Sequence, residues 1–233
     1  MCLLSGSRGR PNNSFDRTRI SVHLMRGSLL AAARARRLIL ALGGSIAEGV
    51  TVMTESRVHF RDGFHLTSVR WDDKFSLLEH FKAREIYDST LNIPYPYSEA
   101  DADKWLNRRI ESTHRQGKEV TFAIRNGGGE MIGAVGADSL EVGASHRAEI
   151  GYWLAGPYWG QGIMTDAVRA YARYAFGDLG LLRLTAHTFT FNVGSGRVLE
   201  KNGFKLEGRL RKHFRKGESL YDAYCFGLLR EEI

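Results

Sequence analysis

Cysteine is almost missing from this 233-residue chain, which has Cys2 and Cys225 and no others. Two thiols so far apart exclude a disulfide framework and any zinc-binding spacing, and leave reduced thiols as the plain reading. Long apolar runs are missing too. No stretch reaches the roughly 18 apolar residues that a membrane span needs, and residues 29–44, the nearest approach, are interrupted by Arg34, Arg36 and Arg37. Acids are scarce at the start. Residues 1–52 hold Asp16 and Glu48 against eight arginines, with no lysine, a net +6. The whole chain carries +7, so residues 53–233, with 25 basic and 24 acidic side chains, carry only +1. The basicity belongs to the extension, and the core gives no charge-based reason to expect a nucleic-acid partner. No internal repeat is visible.

The sequence divides into a basic extension, residues 1–56, and a patterned domain, residues 57–233. Three readings of the extension stand side by side: a start placed too early, with Met53 the natural one; an Arg-rich, acid-poor transit peptide; or a basic interaction tail. Residues 29–42 have helical character that Gly43-Gly44 would end.

In the domain, residues 64–71 alternate as a strand. Residues 71–88 read as a helix, with Asp72 or Asp73 as its cap and Leu77, Leu78, Phe81 and Ile86 as its apolar stripe. The prolines of "NIPYPY" (92–97) make a rigid loop, and Ser98 caps a second helix with acids in its first turn. Strands follow at 119–126, 130–140 and 146–155, then a helix at 160–177 and a strand at 182–189. A short helix over 192–204 ends at Gly203, and a hairpin closes the chain. The order is β-α-α-β-β-β-α-β-α-β-β, an α/β (α+β) domain with a mixed sheet between helices.

Chemistry concentrates at a strand-to-helix junction rich in glycine, "AEIGYWLAGPYWGQGIMTDA" (148–167). It fails the test for an NTP loop, because Gln161 stands where G-x-x-x-x-G-K-[ST] needs its second glycine. It fails the dinucleotide pattern G-x-G-x-x-G, because Thr165 stands last. What remains is general: glycines let backbone approach an anion, and a helix start offers free N–H groups. A tight turn with no ligand is the competing reading.

Together with "N…S…VLEKNGF" downstream, this stretch resembles the GNAT superfamily of acetyl-CoA-dependent N-acetyltransferases, and most of all its RimJ/RimL-like branch, which includes the ribosomal-protein N-terminal acetyltransferases. The superfamily pattern [QR]-x-x-G-x-[GA] falls on Trp159-Gly160-Gln161-Gly162-Ile163-Met164. Gly162 matches; Trp159 and Met164 depart from the pattern in ways that resemble variants of this branch. The resemblance covers roughly residues 57–230. It implies a GNAT fold, with a mixed, mostly antiparallel sheet that splays after the 146–155 strand. It implies that the coenzyme A pyrophosphate meets main-chain N–H groups of Gly160, Gln161, Gly162, Ile163, Met164 and Thr165 beside Trp159. The pantetheine arm would pair with backbone near Trp153 and Leu154 like an added strand, and Asn192 would add a contact. Asp166 would have to point away from a phosphate. Tyr95, Tyr97 and Trp105 would line the acceptor side, the alternative being ordinary core packing.

Acetyl transfer to an amine needs a group to take the ammonium proton and donors for the oxyanion and the departing thiolate. Glu149 is the leading base, the alternative being a carboxylate paired with Arg147 or solvated. Ser195 matches a serine of this branch that assists the thiolate, and Asn192 also suits a helix cap. Leu199 stands where many relatives carry a tyrosine acid. Cys225, with apolar neighbours and no adjacent histidine, reads as core, and His146, His187 and His213 read as isolated surface or packed residues. No metal is called for. Glu99, Asp101 and Asp103 beside the Pro-Tyr loop hint at a cationic acceptor. The expected activity is an acetyl-CoA-dependent acyltransferase acting on a protein α-amino group or a small amine, in the cytoplasm, with a homodimer open to it. The alternatives are a ribosome- or nucleic-acid-associated protein using the basic extension, and an acyl-CoA-binding regulator without catalysis.

Overall fold

The computed structural model describes residues 57–138 and 140–233. The extension, its candidate helix at 29–42 and Met53 lie outside the described residues. The order is β1 (Arg57–Arg61), β2 (Phe64–Ser68), α1 (Lys74–His80), α2 (Arg84–Ser89), α3 (Glu99–Gln116), β3 (Thr121–Arg125) and β4 (Met131–Asp138). Then come β5 (Arg147–Leu154), α4 (Ile163–Gly177), β6 (Arg183–Phe189), α5 (Val193–Glu200), β7 (Lys205–Lys216) and β8 (Ser219–Leu229). The strands form one eight-stranded sheet in the order β1-β2-β3-β4-β5-β6-β8-β7. Every neighbouring pair is antiparallel except β5 with β6, the mixed, mostly antiparallel sheet that was expected.

Two local readings need correction. The first is β1, which was not anticipated. Its signal was present: Asp62-Gly63 between alternating residues is a hairpin turn, and Gly63 takes φ 74° there. The second is the 71–88 helix, which is broken. Ala83 is extended, with φ −73° and ψ 117°. The stripe explains the break. Leu77 and Ile86 are nine residues apart, so on one straight helix they would point roughly 180° apart, yet both are fully buried. Interrupting the helix turns Ile86 back to the core.

Asp73 stands at the N-cap position of α1 as expected, but its side chain makes no cap bond there. Its carboxylate accepts the Arg70 N–H at 2.8 Å and both guanidinium arms of Arg125, at 2.7 and 3.0 Å. Arg125 also donates to Thr67 Oγ1 at 2.6 Å and to the Ser68 carbonyl at 3.1 Å. Both charges are buried, so this forked pair ties β2 and β3 to the first helical turn. The other caps are as expected. Ser98 Oγ accepts from the Asp101 N–H at 3.2 Å, Asn192 Oδ1 accepts from the Ser195 N–H at 3.1 Å, and Gly203 ends its helix at φ 83°.

The sheet has two covered faces. On one, Phe122, Ile132, Val135, Ile150, Leu154, Leu184 and Phe226 pack against α4 (Ile163, Met164, Ala167, Val168, Tyr171) and Leu199 of α5. On the other, Ala123, Met131, Ala134 and Trp153 meet Leu77, Phe81, Ile86, Ala102 and Leu106 of α1–α3. The end of α2 is clamped: Lys216 Nζ donates to the carbonyls of Tyr87 and Thr90, and Asn192 Nδ2 donates to the Ser89 carbonyl. Among the described residues no helix is long and apolar enough to cross a membrane.

Removing Arg125 would leave the Asp73 carboxylate buried and uncompensated. Arg125→Met should lower stability by about 3–5 kcal/mol, read as a fall in the urea midpoint with an unchanged slope.

Candidate functional site

The site begins where two strands part. β5 and β6 pair at three positions only: Arg147 with Arg183, Ala148 with Leu184, and Glu149 with Thr185. Beyond that rung β5 stays bonded to β4 as far as Leu154, and β6 stays bonded to β8 as far as Phe189. The result is a fork inside the sheet. From Ile150 on, the β6-facing edge of β5 has no strand partner among the described residues. A bare edge in mid-sheet suits an extended ligand carrying amide groups.

The glycine junction lies at the open end of β5. Gly160 and Gly162 take φ 73° and 78°, left-handed values that other residues adopt at a cost. A Cβ on Gly160 would meet nothing within 4 Å, so the turn faces free space. Gly162 precedes α4, and the N–H groups of residues 163–165 are the unpaired donors of a helix start. The side chains of Ile163, Met164 and Thr165 are buried in the core, so these residues offer a ligand only their main chain. Trp159, half-exposed, donates from Nε1 to the Leu154 carbonyl at 2.7 Å and pins the turn to the end of β5. Gln161 Nε2 donates to the Pro157 carbonyl at 2.8 Å.

Sequence reasoning missed a cation here. Arg61, a hundred residues upstream in β1, donates from Nη1 to the Gln161 carbonyl at 2.6 Å. The same nitrogen lies 3.6 Å from where a Gly162 Cβ would be. Asp166 is occupied by Arg61 at 3.6 Å and Arg169 at 2.9 Å, so its charge is neutralised next to the turn.

Side chains alternate along β5, and the two faces of the fork differ accordingly. On the α4–α5 face, Tyr152 Oη lies 2.9 Å from Ser195 Oγ and donates to the Ser195 carbonyl at 3.2 Å. Burial holds the Tyr152 phenol well above its ordinary range, and the Ser195 hydrogen bond only partly offsets this. The phenol therefore stays neutral. Tyr152 carries no motif signal; only the fold brings it to Ser195, on the helix that Asn192 caps. Leu199 is fully buried in the core.

On the opposite face, Glu149 Oε1 lies 3.0 Å from His187 Nδ1, so the carboxylate pairs with neither Arg147 nor solvent alone. The His187 ring stacks on His213 with centroids 5.0 Å apart. These two histidines are not isolated, contrary to expectation. Cys225 needs the same correction: it is half-buried, and its partner across the β6–β8 ladder is His187. Burial pushes its thiol up, so it is a poor nucleophile.

The three aromatic residues expected on the acceptor side have different neighbours. Tyr97 packs edge-on against Phe81 at 4.6 Å, and Phe81 in turn meets Trp153 at 4.5 Å. Among the described residues, Tyr97 Oη and Trp153 Nε1 are both buried without a hydrogen-bond partner, two polar atoms that a bound group could satisfy. Tyr95 stands apart, against Tyr87 and Arg84, and Trp105 packs half-buried along α3 beneath Arg109. The nearby acids are already engaged: Glu99 and Asp103 bind Lys74, and Asp101 closes the Ser98 cap.

Residues 64–205 match the family model described as the acetyltransferase (GNAT) domain. The chain is similar to the uncharacterized N-acetyltransferase YoaA of Bacillus subtilis, 35% identical over 101 residues, which is 43% of this chain and 56% of that relative. It spans about half the length of that protein. It is also similar to the ribosomal-protein-serine acetyltransferase of Escherichia coli, 33% identical over 136 residues, 58% of this chain and 72% of the other. Among solved structures, it superposes on RimL, a ribosomal L7/L12 α-N-protein acetyltransferase in complex with coenzyme A. The TM-score is 0.68 at 21% identity, covering 76% of this chain and all of RimL, a likeness of fold.

The left-handed turn disfavours any side chain through its backbone angles rather than through lack of space. Gly162→Val should cost about 1–2 kcal/mol or more for the forced conformation, seen as a lower melting temperature.

Proposed function

This chain belongs to the GNAT acetyltransferase family, and from that premise we propose that it transfers acetyl from acetyl-CoA to a primary amine, a protein N-terminal α-amino group before a small amine. The observation that carries this reading is the fork: an unpaired β5 edge leading straight into a glycine turn with open space around it. Its residues fit coenzyme A. The main chain of 160–165 would hold the pyrophosphate, with Arg61 adding positive charge. The bare edge of β5, whose β6-facing main-chain groups belong to Tyr152 and Leu154 on either side of Trp153, would hold the pantetheine arm, while Trp159 and Asn192 keep the turn and the facing helix in place. Once bound, the group supplies an activated acyl thioester.

The remaining work falls to the chain's own residues. Glu149, on one face of the fork, organises removal of the ammonium proton. Ser195, on the other face, donates to the departing sulfur, and the buried neutral phenol of Tyr152 fixes its hydroxyl. Tyr97, through its unsatisfied hydroxyl, orients the acceptor, with Trp105 and Tyr95 flanking further out. The likeness to an enzyme named for a ribosomal protein supports the α-amino acceptor. Cys225 is a free thiol, which suits the reducing cytoplasm, the setting we propose. Residues 57–233 would be the catalytic unit and residues 1–56 a separate basic extension.

The test is a chain beginning at Met53, mixed with acetyl-CoA and an acceptor panel of small amines, N-terminal peptides and ribosomal proteins, and read by free-thiol release. It should bind coenzyme A and release thiol with at least one amine. Failure of both would sink the proposal. Ser195→Ala should lower kcat by about 100-fold with little change in coenzyme A affinity by calorimetry.

A further inference from the structure

We infer that His187 is the group that takes the proton from the acceptor's ammonium, and that Glu149 is the positioning residue that holds its imidazole; this rests on the acetyl-transfer reading of the fork. The placement comes from strand register. Glu149 is the last residue of β5 paired with β6, opposite Thr185. His187 stands two residues past that rung, and Gly151 stands two residues past it on the other strand. Alternation puts Glu149, Gly151, Trp153 and His187 on one face, the face that α1–α3 cover further along. Gly151 has no side chain, and a Cβ there would meet nothing within 4 Å. The imidazole therefore sits at the throat of the fork beside open space, on the side where Tyr97 and Trp153 keep unsatisfied polar atoms.

The bonding defines its chemistry. Nδ1 faces Glu149 Oε1 at 3.0 Å, which assigns the Nδ1 hydrogen to that bond and leaves the Nε2 lone pair to accept. No hydrogen bond among the described residues engages Nε2. The His187 side chain is 16% exposed against 56% for Glu149, so the imidazole is the sheltered member of the pair. An imidazole with an ordinary pKa of about 6.5 is the stronger base than a carboxylate at about 4.3 by roughly 100-fold, and it lies closer to working pH.

The protons balance. One hydrogen of the ammonium passes to Nε2, and the freed nitrogen lone pair forms the C–N bond. The C–S electron pair stays with the departing sulfur, and the nitrogen sheds a second hydrogen as the amide forms; of the two protons released, one ends on the thiolate and the other passes from the imidazolium to water. Glu149 stabilises the imidazolium between those events. The other groups facing His187 are His213 from β7 and Cys225 from β8, with the Arg183–Glu207 pair one side-chain step back along the face.

The Glu149 hydrogen bond raises the His187 pKa, and burial partly opposes it. A base must be neutral to act, so kcat/KM should fall as pH drops through the His187 titration. Neutralising Glu149 should move that limb to lower pH.

The experiment follows imidazole titration by NMR in the full chain and in Glu149→Gln and His187→Gln, alongside kcat/KM against pH. In Glu149→Gln, the His187 midpoint and the acid limb should shift down together. His187→Gln should lose about 100-fold or more in kcat/KM and lose the limb, while its melting temperature and coenzyme A affinity stay near wild type. His187→Gln retaining activity within threefold with the limb in place overturns the proposal alone, as does a Glu149→Gln limb that stays put while the His187 midpoint moves. A wild-type chain that transfers to no amine overturns the acetyl-transfer reading and this proposal with it.

Discussion

Everything at the candidate site depends on two parallel strands that stop bonding to each other after three positions. β5 and β6 each keep a full partner on the outer side, β4 and β8 respectively. Each strand is therefore stable on its own account, and the gap between them does not unravel the sheet. A bare strand edge usually invites aggregation and is blunted or covered. Here it lies inside the sheet, between two helix-covered faces, where only something narrow and extended can reach it. That single geometry brings Tyr152–Ser195 to one face of the throat and Glu149–His187 to the other.

The rest of the fold holds that fork in shape from a distance. The Asp73–Arg125 pair locks β2 and β3 to the first helical turn, and from there the broken helix carries Phe81 onto Trp153. Lys216 and Asn192 hold the end of α2 from the far side of the chain. Arg61 reaches the glycine turn from β1. Each contact joins segments 50 to 130 residues apart, so the site is a product of the assembled sheet and not of any one segment.

Much was legible in the residues, for reasons that can be named. Alternation marked β2, and short runs bounded by turn signals marked β3–β6. Ser98, Asn192 and Gly203 announced their helix ends, since caps satisfy neighbouring N–H groups or adopt special backbone angles locally. Glycine at 160 and 162 announced the turn. The break at Ala83 was hidden because local propensity allows one continuous helix; the need to bury both Leu77 and Ile86 on one side rules it out. β1 was overlooked although Asp62-Gly63 signalled it. Met164 and Thr165 stood in the motif, yet their side chains went to the core and left only their N–H groups to the turn.

By itself the sequence determined the family, the order of nearly all elements, the position of the glycine turn and the identity of Glu149 and Ser195 as residues worth watching. The element order and the turn follow from spacings along the chain, which one dimension can carry, and the family and those two side chains from a resemblance of motifs. Only the tertiary structure decided that Glu149 lies beside His187, that Ser195 is held by Tyr152, and that Arg61 stands at the turn. It also decided that Tyr95 and Trp105 have neighbours other than Tyr97. Those are relations between strands, set by register, and a shift of one residue would send every such side chain to the opposite face.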